Sequence, residues 1–201
     1  MITEYTLDIS QWQEWEKGYQ FGVILIFPPE PLLTQVNVLR ARYDPRSQAA
    51  CDAHISLTVP LPRPISDSHW RELETIVSAI ESFPIRYGPL RHYLPHPGVC
   101  LTIEPQDELN RLRMELERAS VFIGAPEREY PFSAHMTIAE FITGEQTLSL
   151  MDELQTIAPV GSFICGSVVY AVPDSNHHFS ERGRLTLRQS SSHGGERAKT
   201  I

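Results

Sequence analysis

The stretch Ala53-His54-Ile55-Ser56-Leu57 returns 81 positions later as Ala134-His135-Met136-Thr137-Ile138. In each copy, apolar residues alternate with a histidine and then a hydroxyl, which is the period of a strand with one buried face. Residues two apart on a strand share a face, so His54 lies beside Ser56 and His135 beside Thr137. Brought to one cleft, the two strands offer two imidazoles to move protons and two hydroxyls to hold an oxyanion. That set suits a phosphodiester that is hydrolysed or attacked internally. A single histidine in a strand is more often a structural, partly buried side chain. It is the pair that points to a shared site.

Working outward from the first copy, QFGVILIF (residues 20–27) is an unbroken apolar run, as expected of a strand buried on both faces, and Pro28-Pro29 stops it. Leu32, Leu33, Val36 and Leu39 recur at helical spacing as far as Tyr43-Asp44-Pro45. Beyond the His54 strand, Ser66 is a candidate N-cap for a helix carrying Leu73, Ile76, Val77 and Ile80, and residues 84–94 follow as a strand. A similar order surrounds the second copy. It runs from a strand at 99–103, through a helix with Leu109, Leu112, Leu116 and Ala119, to the His135 strand. A helix through Leu148, Met151 and Leu154 comes next, then one apolar strand over 163–172 and a last strand near 183–187. This order predicts a single domain over 1–189, built from repeat halves at about 20–94 and 98–172. The polar stretch 190–201 is expected to be a disordered tail.

At 201 residues the chain can bury one core, and 41% hydrophobic with 21% charged residues is ordinary for a globular protein. The net charge of −8 disfavours long duplex nucleic acid, so an anionic partner is expected to be small or gripped locally. Cys51, Cys100 and Cys165 are odd in number and far apart, which reads as reduced, buried thiols. The first residues show no basic segment followed by an apolar run, and no stretch approaches the roughly 20 apolar residues of a membrane span. A cytoplasmic protein without membrane contact is the expectation. His92 and His96 flank a Pro-containing turn, and His177 and His178 lie in a polar stretch. Neither pair has the i, i+4 helical arrangement or the neighbouring cysteines that would favour a metal site. Tyr130 and Phe132, just ahead of the second copy, are candidates to stack on a base. Arg86, Arg91, Arg128 and Arg184 are candidates for local positive potential.

The paired motifs resemble those of the 2H phosphoesterases, the 2′-5′ RNA ligase-like family, whose signature is two copies of His, apolar, Ser or Thr, apolar. The likeness extends to FGVILIFPP (21–29), LRARYDP (39–45) and YPFSAH (130–135). It implies an α+β fold of two lobes related by a pseudo-twofold, each an antiparallel sheet with helices packed outside, facing across a central cleft. It also implies His54 and His135 as the catalytic pair, Ser56 and Thr137 as phosphate ligands, and chemistry on 2′,3′-cyclic phosphates, related cyclic phosphodiesters or 2′-5′ linkages. No metal or other cofactor is expected. The expected partner is a small nucleotide or RNA-terminal cyclic phosphate, met by a monomer. The alternative is a non-catalytic module that binds a nucleotide or RNA end on the same fold.

Overall fold

The computed structural model describes residues 5–189, and the stretch 190–201, expected to be a tail, lies outside them. A short helix α1 (Glu14–Lys17) leads to β1 (Val23–Ile26), whose four residues are all buried, as the unbroken apolar run requires. Helix α2 (Leu32–Tyr43) follows the Pro28-Pro29 stop. It does not hand straight on to the motif strand. Asp44 caps a further short helix, α3 (Pro45–Ala50), by accepting a hydrogen bond from the Ser47 N–H at 3.1 Å, and Pro45 fits the first helical position because that position needs no N–H. The first motif strand is β2 (Ile55–Ser56). Ser66 caps α4 (Asp67–Ser78) through the His69 N–H, as its position in the sequence predicts. Then come β3 (Phe83–Tyr93), β4 (His96–Glu104), α5 (Gln106–Glu117), β5 (His135–Ala139) and α6 (Gly144–Leu154).

The apolar stretch 163–172, expected as one strand, is two: β6 (Gly161–Cys165) and β7 (Ser167–Pro173), followed by β8 (Phe179–Thr186). All strand pairings are antiparallel, and the eight strands form one sheet in the order β6-β3-β4-β5-β2-β1-β7-β8. β6 stands at one end of that order and β7 near the other, yet only Gly166 separates them in the chain. The sheet must therefore curl until its ends meet. Hydrogen bonds tie the seam: the Arg188 N–H donates to the Ile80 carbonyl at 2.8 Å, the Ser82 N–H to the Arg188 carbonyl at 2.8 Å, and the Leu187 N–H to the Gly166 carbonyl at 2.9 Å.

The fold is thus α+β, with a curled antiparallel sheet and helices packed against it. The order βαβαβ occurs twice along the chain, but β3 pairs with β4 and β6, while β7 and β8 complete the side that holds β1 and β2. The two sets of four strands are continuous through the β2–β5 pairing. The four long helices contribute apolar stripes, such as Leu73 and Val77 of α4 and Leu109, Leu112 and Leu116 of α5, to one core with Ile24, Ile26, Ile55, Met136 and Ile138. Strand alternation turns Val23 and Leu25 to the opposite face, where they meet Cys51 and Ala171.

Gly22 sets the entry to β1. Its φ is +85°, and a Cβ there would collide with the Ala171 carbonyl oxygen, a backbone atom that cannot step aside without disturbing β7. Gly22→Ala should therefore cost about 1–3 kcal/mol through strain and overpacking. The measurement is a lowered urea midpoint at unchanged m.

Candidate active site

The antiparallel register pairs Ile55 with Met136. Carried one residue in each direction, it sets His54 across from Thr137 and Ser56 across from His135. Directly opposite Cβ atoms in such a ladder are about 4.5–5.5 Å apart and diagonal neighbours about 7–8 Å. The four side chains therefore form a square, with histidines on one diagonal and hydroxyls on the other. All four line a cleft of about 540 Å³. The square is a size and shape that a tetrahedral anion can occupy.

Both rings are held in the same way. Nδ1 of His54 lies 2.7 Å from the Asp52 carbonyl oxygen, and Nδ1 of His135 lies 2.7 Å from the Ser133 carbonyl oxygen. A carbonyl oxygen only accepts, so in both rings Nδ1 carries the proton and Nε2 is the nitrogen left to exchange one. The intervening residues, Ala53 and Ala134, are buried and small enough to let the carbonyl reach back to the ring. Phe27 meets the His54 ring edge-on at 6.5 Å, and Tyr93 lies 5.6 Å from the His135 ring. An edge of His54 is open to the cleft, but the groups packed around it prevail. Burial pushes its pKa down to about 4, against the pull of the Asp52 carbonyl and with the help of the Arg40 and His135 charges.

Beneath the square sits Arg40, only 2% exposed. Its guanidinium donates to the carbonyl oxygens of Thr137 at 2.8 Å, Ser47 at 2.8 Å and Cys51 at 2.9 Å, so it ties α2 to β5, to α3 and to the segment entering β2. Its buried Nε has no partner. Burial lowers the Arg40 pKa, while Cys51, Glu140, Asp44 and Asp52 favour its charged form. An arginine titrates so high that it keeps its charge. A fixed positive charge thus borders the cleft that holds the square, and the Glu140 carboxylate lines the same cleft.

Asp44 accepts from the backbone N–H groups of Ser47, Glu140 and Phe141, and the Ser47 hydroxyl donates to Glu140 at 2.7 Å. Burial works against the Asp44 charge, yet those N–H groups hold its carboxyl below the usual range. Cys51, also in the cleft, is a thiol at neutral pH, because burial pushes it up to about 12.

Other candidates from the sequence lie elsewhere. Tyr130 and Phe132 do not line this cleft but a separate shallow groove. Tyr130 packs against His96, and Phe132 lies beneath the guanidinium groups of Arg113 and Arg128. Arg86, Arg91, Arg128 and Arg184 do not line the cleft either; Arg128 is paired with Glu117 and Arg184 with Glu181. The cation at the site is Arg40, which sequence reasoning misses. A signal for it exists: Leu32, Val36 and Arg40 fall four residues apart on the buried face of α2, so a charge stands on an apolar stripe. His177, in the polar stretch between β7 and β8, is buried, and it lines the cleft with Trp15, Tyr19 and Phe179. The three cysteines are free and buried. Among the described residues, no helix is long and apolar enough to cross a membrane.

Residues 28–176 match the 2′-5′ RNA ligase superfamily. The chain belongs to that superfamily. Its match takes in both motif copies and Arg40. Among relatives, proteins of Bacillus cytotoxicus and Bacillus cereus, each named provisionally as a phosphoesterase, are 30% identical over 135 residues, covering 66% of this chain and 76% of theirs. Among solved structures, Escherichia coli LigT complexed with 3′-AMP superimposes with a TM-score of 0.55 at 19% identity, covering 82% of this chain and 96% of LigT. A Thermus thermophilus protein does so with 0.54 at 12% identity, covering 84% and 98%. These likenesses establish the 2H phosphoesterase fold.

Removing the buried cation should be costly whatever the substrate. Arg40→Leu leaves three carbonyl oxygens without their donor and should lower unfolding stability by about 3 kcal/mol or more in urea titrations. Arg40→Lys should recover only part of this, because one ammonium cannot reproduce the planar fork.

Proposed function

We propose that this protein is a metal-independent phosphoesterase that opens a 2′,3′-cyclic phosphate, or a related cyclic phosphodiester or 2′-5′ linkage, on a small nucleotide or an RNA end. The observation that carries the reading is the square of His54, Thr137, His135 and Ser56, in which each imidazole is fixed through Nδ1 with its Nε2 left for proton exchange. LigT, which shares the fold, has been solved with phosphate and with 3′-AMP, which agrees with an anion- and nucleotide-binding cleft. A module that only binds has no need of two proton carriers on one anion, so the enzyme reading is preferred.

In this mechanism the phosphate sits over the square. The Ser56 and Thr137 hydroxyls donate to its nonbridging oxygens, and the charge of Arg40 adds to the field that favours the anion as negative charge grows in the transition state. His54 is the base. Its depressed pKa keeps Nε2 unprotonated at neutral pH, so it takes a proton from a water whose oxygen bonds to phosphorus. The acid's part falls to His135, whose Nε2–H protonates the sugar oxygen as its bond to phosphorus breaks. The result is a phosphomonoester and a free hydroxyl, with one water consumed. Run backwards, with the roles exchanged, the same groups would join rather than cleave.

The pH profile follows from the sign of the shift. A base whose pKa is lowered stays competent as pH falls, until its own pKa is reached. The acid limb of kcat/KM for a nucleoside 2′,3′-cyclic phosphate should therefore fall near pH 4, well below the ordinary imidazole value of about 6.5. A limb near 6.5 would take the role of base away from His54. In EDTA, His54→Ala and His135→Ala should each reduce turnover by roughly 100-fold or more. Wild-type binding without turnover would favour the binding module.

A further inference from the structure

One wall of the cleft is built from outside residues 28–176. His177 adopts φ 61° and is 7% exposed, and four aromatic rings meet it nearly at right angles: Trp12 at 5.1 Å, Phe179 at 5.2 Å, Trp15 at 5.3 Å and Tyr19 at 6.3 Å between centroids. Trp12 is buried and anchored by its indole N–H to the Ser175 carbonyl at 3.1 Å, so the inner side of this cluster is fixed. His177 has a buried Nε2 without a hydrogen-bond partner, and its nearest carboxylate, Glu16, stands 3.9 Å from Nδ1. Burial lowers its pKa, which keeps the ring neutral, as an aromatic post should be.

The outer side of the cluster is different. Trp15, Tyr19 and Phe179 line the cleft that holds the histidine square, and Trp15 is 49% exposed although it is the largest kind of apolar side chain. Its indole N–H donates to the Gln13 side chain at 2.8 Å, which limits how the ring can turn. Folding gains little from holding a tryptophan half in water at fixed orientation. A flat ligand placed against it gains stacking area at little entropic cost. The cation lining the cleft is Arg40, at the square, while on the wall's helix Lys17 is paired with Glu14 and Glu16 stands near His177. An uncharged ring suits the wall better than a second phosphate.

We propose that Trp15, Tyr19 and Phe179 form a stacking subsite for the purine base of the substrate, so that the cleft grips the phosphate at the histidine square and the base at this wall. The two-ring indole offers a purine more overlap than it offers a pyrimidine. This rests on the phosphoesterase reading above, because it assigns the rest of the molecule whose phosphate sits on the square.

The test compares kcat/KM for adenosine 2′,3′-cyclic phosphate, cytidine 2′,3′-cyclic phosphate and the baseless glycerol 1,2-cyclic phosphate, in the wild type, Trp15→Ala and Trp15→Phe. Stacking contributes about 1–3 kcal/mol per base, or roughly 5- to 150-fold. The wild type should favour adenosine over the baseless substrate by about tenfold or more, with cytidine between. Trp15→Ala should shrink that ratio to within about threefold, and Trp15→Phe should keep part of it. A second readout needs no turnover: adenosine 2′-monophosphate should quench the tryptophan fluorescence of the wild type, inorganic phosphate should not, and Trp15→Phe should lose the quench. Turnover with equal efficiency on all three substrates, unchanged in Trp15→Ala, would overturn the subsite and leave the phosphoesterase standing. Quenching without any turnover would keep the subsite and overturn the activity. Neither quenching nor turnover would overturn both.

Discussion

The site depends on a single backbone pairing, Ile55 against Met136, where β2 and β5 meet at the middle of the sheet. Both side chains are fully buried in the core, and because strand faces alternate, their burial is what turns His54, Ser56, His135 and Thr137 into the cleft. A slip of one residue in either strand would put a histidine into the core and an isoleucine or methionine into the cleft. The register is therefore fixed by the hydrophobic effect, at no cost to the groups that face the anion. Two strands from distant parts of the chain become a preformed array because the core tolerates only one alignment.

Around that array, Arg40, Asp44 and the two histidines are held by backbone groups. Arg40 meets three carbonyl oxygens, Asp44 meets three N–H groups, and each histidine meets the carbonyl two residues before it. Backbone partners cannot swing away, so these contacts fix ring tautomer and strand position together. Arg40 keeps its charge in a chain whose overall balance is −8, with the carboxylates of Glu140, Asp44 and Asp52 near enough to favour it. The field that matters is local.

The sequence is most readable where the pattern is short-range. Period-two alternation at His54 and His135, the apolar run of β1, the Leu32–Val36 stripe of α2 and the Ser66 cap of α4 can each be read within a few residues, and each has the structure that reading gives it. What escapes depends on closure. Gly166 divides one apolar run into two strands because the sheet curls until its ends meet, a condition set by residues as distant as Ile80 and Arg188. Arg40 is passed over because a charge on a helix ordinarily means solvent. Tyr130 and Phe132 draw attention by lying next to the second motif, whereas the Trp, Tyr and Phe rings that line the cleft come from positions 15, 19, 141 and 179, which no local window brings together.

The central claim is that the two imidazoles serve one anion. A crystal structure of the wild-type protein with inorganic phosphate bound would test it most directly. The account predicts one phosphate over the square, with Nε2 of His54 and Nε2 of His135 both within hydrogen-bond distance of its oxygens and the Ser56 and Thr137 hydroxyls on the others. A phosphate held by only one histidine, or bound away from the square, would contradict it.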